Sequence, residues 1–180
     1  MRILVVASIR SGGRYFTKQL SLEYNLKHYH EPNQINNIDL SKDVVVKLVT
    51  WKPWNYDVSG ICEYANDFNK VFILDRRDKQ LHLESVFNLY EYSKNMGAYY
   101  TWNSEKFNKT NPEHSKQYYI EWLDRQSKCL KEVSSELNIP VTYYEDLYYD
   151  NSKVDLQGLS FKPNLSKKLR KETLKNTNFI

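Results

Sequence analysis

The residues best suited to chemistry sit close to the start of the chain. Arg10-Ser11-Gly12-Gly13-Arg14 follow a short apolar run, Ile3 to Val6, and precede Tyr15, Phe16 and Leu20. A buried strand that passes through small residues into the first turn of a helix makes an anion site. The first amides of the helix lack intrahelical acceptors, and the helix dipole favours negative charge there. Two of the five glycines in the chain stand side by side in this turn, so the backbone can turn tightly and approach a ligand closely. Arg10 and Arg14 add forked donors that match phosphate or sulfate oxygens.

Other candidates are scattered. Arg77 ends the run Lys70 to Leu74 within Asp75-Arg76-Arg77-Asp78, and Ser85 follows eight positions later. Alone, Arg77 reads equally well as an ion pair with Asp75 or Asp78, and Ser85 as an ordinary helix serine. Glu31 closes the alternating run Lys27 to Glu31 before Pro32; as a carboxylate it is either a general base or a solvated loop residue. His28 and His30 flank it with suitable intrinsic pKa, although a histidine in an alternating strand is more often structural. Lys47 projects from the run Asp43 to Thr50 and is expected to be ion-paired or snorkelling rather than held for a ligand. His82 is read as facing solvent. Trp51 and Trp54 have the surface to stack on a base or sugar, with packing the simpler role.

These residues are positioned by alternating elements. Strands are expected at 2–8, 27–31, 43–50, 70–74 and 139–144. Helices are expected at 12–25, 57–67, 78–95 and 113–137, with a helical turn at 145–150. The run DVVVKLVT is rich in β-branched residues and reads as a buried strand, and KVFIL as a further strand. Residues 32–42 and 96–112 read as loops. This alternation predicts a single α/β domain with a central, mainly parallel sheet flanked by helices, over 1–150. A polar, lysine-rich tail, 151–180, is expected either to stay solvated or to pack on or close over the domain. In such sheets ligands sit beyond the carboxyl ends of the strands, where the Arg10–Arg14, Thr50–Trp54 and Asp75–Asp78 segments would converge.

Composition narrows the function. With 27% charged and 41% apolar residues the chain is globular rather than disordered. A net charge of +4 suits an anionic ligand but falls short of a nucleic-acid binder's footprint. Fifteen tyrosines and four tryptophans supply amphipathic surface. Cys62 and Cys129 have no metal-ligand spacing and are expected to be free, buried thiols in a reducing cytoplasm. No stretch approaches a membrane span.

Three segments, in order, resemble sulfotransferases that use 3′-phosphoadenosine 5′-phosphosulfate. Ile9 to Arg14 is similar to that family's 5′-phosphosulfate loop. Val71 to Ser85, VFILDRRDKQLHLES, resembles its 3′-phosphate motif, with Arg77 and Ser85 at the right spacing. The Arg-Arg-Asp-Lys form is most like that of the bacterial trehalose and carbohydrate sulfotransferases. Tyr143-Tyr144-Glu145-Asp146-Leu147 resembles a late Tyr-Glu-Asp-Leu segment, and Val46 to Trp51, more loosely, the central strand. Gly13 and Arg14 replace the family's usual Ser/Thr pair.

The resemblance implies a P-loop nucleoside triphosphate hydrolase-like fold and sulfuryl transfer without a metal to a hydroxyl acceptor, with a carbohydrate or other small molecule as the partner. The 5′-phosphosulfate would be held by Arg10, Ser11, Gly12, Gly13, Arg14 and Tyr15, and the 3′-phosphate by Arg77 and Ser85. Arg10 or Arg14 would stabilise the leaving oxygen. Glu31 would act as base, with His28, His30 and Lys47 as the alternatives. Two other readings compete. One is a non-catalytic anion-binding module of the same fold. The other is a P-loop kinase, which the absence of the lysine of G-x-x-x-x-G-K-[ST] disfavours.

Overall fold

The computed structural model describes residues 1–32, 35–86, 115–149 and 154–160. In chain order the elements are β1 (Arg2–Ala7), α1 (Gly13–Glu23), β2 (Lys27–His30), a 3₁₀ turn at Ile35–Asn37, β3 (Val44–Val49), α2 (Val58–Ala65) and β4 (Lys70–Asp75). There follow α3, described over 79–86, then α4 (Lys116–Leu137), β5 (Val141–Tyr143) and α5 (Tyr144–Tyr149). The strands form one five-stranded sheet in the order β2-β3-β1-β4-β5, and every pairing is parallel. The protein is thus a single α/β domain with helices on both sheet faces.

Strand periodicity explains the layers. On one face, Leu4, Val6, Val44, Val46, Leu48, Val71 and Ile73 pack with Ile61 and Ala65 of α2 and with Cys129, Leu130 and Val133 of α4. On the other, Ile3, Val5, Ala7, Val45, Phe72 and Leu74 pack with Phe16 and Leu20 of α1 and Leu147 of α5. Phe16 meets Phe72 edge to face at 5.1 Å. All of β3 is buried, Lys47 included, which is why its sequence carries no polar alternation.

Helix ends follow their caps. α4 starts after Ser115, whose hydroxyl accepts from Tyr118 N at 3.1 Å, and ends at Asn138 in the left-handed region. Asp78 lies just outside α3 rather than within it, its carboxylate accepting from Leu81 N at 2.9 Å. The expected helix 78–95 and loop 96–112 lie largely outside the described residues, as do 161–180. Segment 154–160 packs on the α1 face: Leu159 is buried, and Ser160 N donates to the Tyr24 hydroxyl at 2.9 Å. Both cysteines are free, but only Cys129 is buried; Cys62, one position past Ile61, sits at the edge of the buried face. Among the described residues no helix is long and apolar enough to cross a membrane.

Candidate active site

β1 is central, and the strands beside it are β3 and β4. The chain leaves β1 toward β2 and leaves β4 toward β5, so the connections diverge at the carboxyl ends of these two neighbours. That divergence is where open parallel sheets form their crevice. The Arg10–Arg14 turn occupies it.

The turn has a defined shape. Arg10 has φ 62° and Gly12 φ 81°, both left-handed. Gly12 caps α1 without a side-chain hydrogen bond, and the first turn holds no acidic residue. The first helical bond runs from Phe16 N to Gly12 O at 3.1 Å, leaving the amides of Gly13 to Tyr15 without intrahelical acceptors. Glycine is required at position 12: a Cβ there would lie 2.6 Å from Tyr148 Cε2 and 2.7 Å from Tyr144 Cδ2. Ser11 is buried, and its hydroxyl donates to Ser8 O at 2.7 Å. Arg14 and Tyr15 are half-buried on the first turn.

Two cationic side chains flank this turn from the neighbouring strands. Lys47 lies opposite Val5 on β3, and its Cε is 3.0 Å from where a Gly13 Cβ would sit. Its ammonium donates to the Glu31 carboxylate. Glu31 itself has φ 49°, with its amide bonded to Lys47 O at 2.9 Å. Burial alone would raise the Glu31 pKa, but the Lys47 charge and hydrogen bond, with His30 and Arg14, outweigh it and hold the carboxyl at about 2. Glu31 is therefore ionised at neutral pH. Lys47 matches the ion-paired expectation.

Beyond β4, Arg76 stacks on the Tyr144 ring at 4.7 Å, the same ring that contacts Gly12. Arg76 Nε is buried without a hydrogen-bond partner. Its nearest carboxylate oxygen, Glu145 Oε1 at 3.8 Å, already accepts from Asp78 N at 3.0 Å.

The histidines are structural in arrangement. Thr17 donates its one hydroxyl proton to a helix carbonyl, Gly13 O at 2.9 Å or Arg14 O at 3.2 Å. It therefore accepts from His28 Nε2–H at 2.9 Å. Burial, with the charges of Arg14, Lys18 and Lys47, lowers the His28 pKa to about 4. His30 lies 3.7 Å from Glu31; burial first and then Lys47 bring its pKa down to about 3. Both rings are neutral at pH 7.

The expected 3′-phosphate pair is not joined. Ser85 accepts from Arg10 Nε at 3.0 Å. Arg77 is exposed and forms a two-pronged pair with Asp146, at 2.9 and 2.6 Å, over the Tyr143 ring. Its carboxylate partner is thus neither Asp75 nor Asp78. Asp75 is buried and accepts from Ser8 Oγ at 2.7 Å, and Asp78 caps α3. The Tyr-Tyr-Glu-Asp-Leu segment braces this region. Glu145 accepts the amides of Arg77 and Asp78 at 2.9 and 3.0 Å, and Leu147 fills the core.

His82 departs most from the sequence reading. It is fully buried rather than solvent-facing, and its Nε2 lies 2.5 Å from Ile9 O. Sequence reasoning also missed Gln126, whose Oε1 accepts from Ile9 N at 3.0 Å, and Tyr148, whose hydroxyl donates to Gly12 O at 2.9 Å. Trp51 and Trp54 pack against Trp122 and Tyr64. A scan of protein-family models and a search of curated proteins gave no match to this chain.

Proposed function

We propose that the protein is a sulfotransferase that moves a sulfuryl group from 3′-phosphoadenosine 5′-phosphosulfate to a hydroxyl acceptor, of which a carbohydrate is the favoured class. One observation carries this reading. A glycine-turned helix N-terminus lies at the sheet's diverging point, with Lys47 on one side, Arg76 on the other and an ionised carboxylate, Glu31, bonded to that lysine.

In this proposal the amides of Gly12 to Tyr15 and the Arg10 and Arg14 side chains hold the 5′-phosphosulfate, so that charge building on the leaving phosphate meets fixed donors. The acceptor oxygen forms the new O–S bond while the S–O bond to phosphate breaks. The bonding pair stays on the phosphate, giving adenosine 3′,5′-bisphosphate, and the acceptor proton passes to Glu31. Held by Lys47, Glu31 is a poor base. A phosphosulfate that draws the Lys47 ammonium to itself frees the carboxylate and raises its proton affinity, so donor binding would switch the base on.

Ser85 and the paired arginines are assigned to the 3′-phosphate. Arg77 reaches it only by giving up Asp146, whereas Arg76 has an unspent donor. Transfer of radiolabelled sulfate from the donor to a panel of sugars, without added metal, tests the reading. Tight bisphosphate binding without transfer to any hydroxyl acceptor would favour the non-catalytic module instead.

A further inference from the structure

We propose that His82 and Gln126 are positioning residues for the anion turn. Each locks one backbone group of Ile9, so that the next residue, Arg10, is held in its left-handed conformation and the α1 amides are presented ready-made. The ligand consequence rests on the anion-binding reading above; the ordering of the turn does not.

Ile9 is the first residue after β1 with both backbone groups bonded to side chains instead of to a neighbouring strand. Ser8 N still bonds Leu74 O at 2.9 Å. At Ile9 the amide instead donates to Gln126 Oε1 at 3.0 Å, from α4, and the carbonyl faces His82 Nε2 at 2.5 Å, from α3. A carbonyl only accepts, so Nε2 carries the proton and the neutral ring leaves a bare lone pair on Nδ1. Both side chains are fully buried. Each spends one polar atom on Ile9 and leaves another, His82 Nδ1 and Gln126 Nε2, buried without a partner.

The Ile9 side chain already packs on apolar residues of the same two helices, Leu83, Val86, Tyr119 and Leu123, so the polar pair serves the Ile9 backbone and not its side chain. The polar pair satisfies an otherwise unpaired buried peptide group on each side of Ile9. A non-glycine residue at φ 62° persists only where its surroundings over-determine it. Two helices gripping Ile9, with Ser85 of α3 gripping the Arg10 side chain, supply that constraint. A turn fixed in advance spares an anion the cost of ordering it.

The test compares His82→Leu and Gln126→Leu with the conservative His82→Gln and Gln126→Glu, each of which keeps the needed atom near its place. His82→Asn keeps polarity but falls short of Ile9 O, and substitutes for His82→Leu should that variant not fold. Two readouts are taken: amide hydrogen exchange at Phe16, with Val46 as the sheet reference, and titration with adenosine 3′,5′-bisphosphate. The expected result is at least tenfold faster exchange at Phe16 with Val46 unchanged, at least tenfold weaker bisphosphate binding, and recovery to within about threefold in His82→Gln and Gln126→Glu. Exchange that rises equally at Phe16 and Val46, or a disruptive variant with parental exchange at Phe16, would overturn the proposal. Wild-type protein that fails to bind the bisphosphate would overturn the functional reading alone, since local exchange still decides the positioning role.

Discussion

Lys47 and Glu31 are joined in an ion pair at the carboxyl ends of β3 and β2, with the lysine side chain 5% exposed and the glutamate 30%. The lysine's aliphatic stem lies under Gly13. The pair therefore ties the base candidate to the first turn of the anion-binding helix. Removing Glu31 strands a buried ammonium. Glu31→Gln should cost roughly 2–4 kcal/mol, at or below the range for breaking a buried pair because one partner keeps solvent contact. Urea unfolding measures this cost. The same variant should lose transfer activity about 10²–10⁴-fold if Glu31 is the base.

Acid should weaken the fold in two stages. His28 and His30 have folded pKa values near 4 and 3, below 6.5, so the unfolded chain binds more protons and stability falls as pH drops below about 6.5. Glu31, held near 2 against 4.5, contributes stability that is present above 4.5 and is lost as pH falls toward 2. Thermal unfolding from pH 7.5 to 5 should show a falling midpoint, with a shallower slope in His30→Gln. Parental and variant slopes that coincide would contradict the His30 assignment.

Gly12 and Gly158 provide a matched comparison. Both have positive φ, but a Cβ at Gly158 meets nothing within 4 Å, whereas one at Gly12 meets two tyrosine rings. Gly158→Ala should cost about 1 kcal/mol from backbone conformation alone. Gly12→Ala should cost more, about 2–4 kcal/mol, because the rings must also move. Chemical denaturation of the two variants separates these contributions.

Arg77 is tied to Asp146 on the surface, with a side chain 56% exposed. Losing that pair should leave stability nearly unchanged, because solvent screens an exposed ion pair. Arg77→Ala should nonetheless weaken adenosine 3′,5′-bisphosphate binding at least tenfold if the guanidinium exchanges Asp146 for phosphate. Unchanged affinity would remove Arg77 from the site and leave Arg76 as the arginine of that subsite.

The sheet was legible because its strands advertise their burial. Val44 to Val49 and Val71 to Leu74 are apolar apart from Lys47 and rich in valine and isoleucine, and both faces of these strands are covered. The anion turn was legible because paired glycines between a strand and a helix have few other uses. Strand order was not, since β1 leads past its own neighbour to β2. The supports of the turn were also hidden. His82 reaches a carbonyl 73 positions away and Gln126 an amide 117 away, and neither local pattern distinguishes such a residue from one on a helix surface. The ion-pair partner of Arg77 was hidden for the same reason: Asp146 is distant in sequence, whereas Asp75 and Asp78 are near but already bonded elsewhere.

The most direct test of the central claim is calorimetric titration with adenosine 3′,5′-bisphosphate in metal-free buffer, with ATP plus Mg²⁺ as the comparison. The proposed site predicts micromolar binding of the bisphosphate, about −8 kcal/mol, and little or none of ATP. Absence of bisphosphate binding, or a preference for ATP with Mg²⁺, would contradict it.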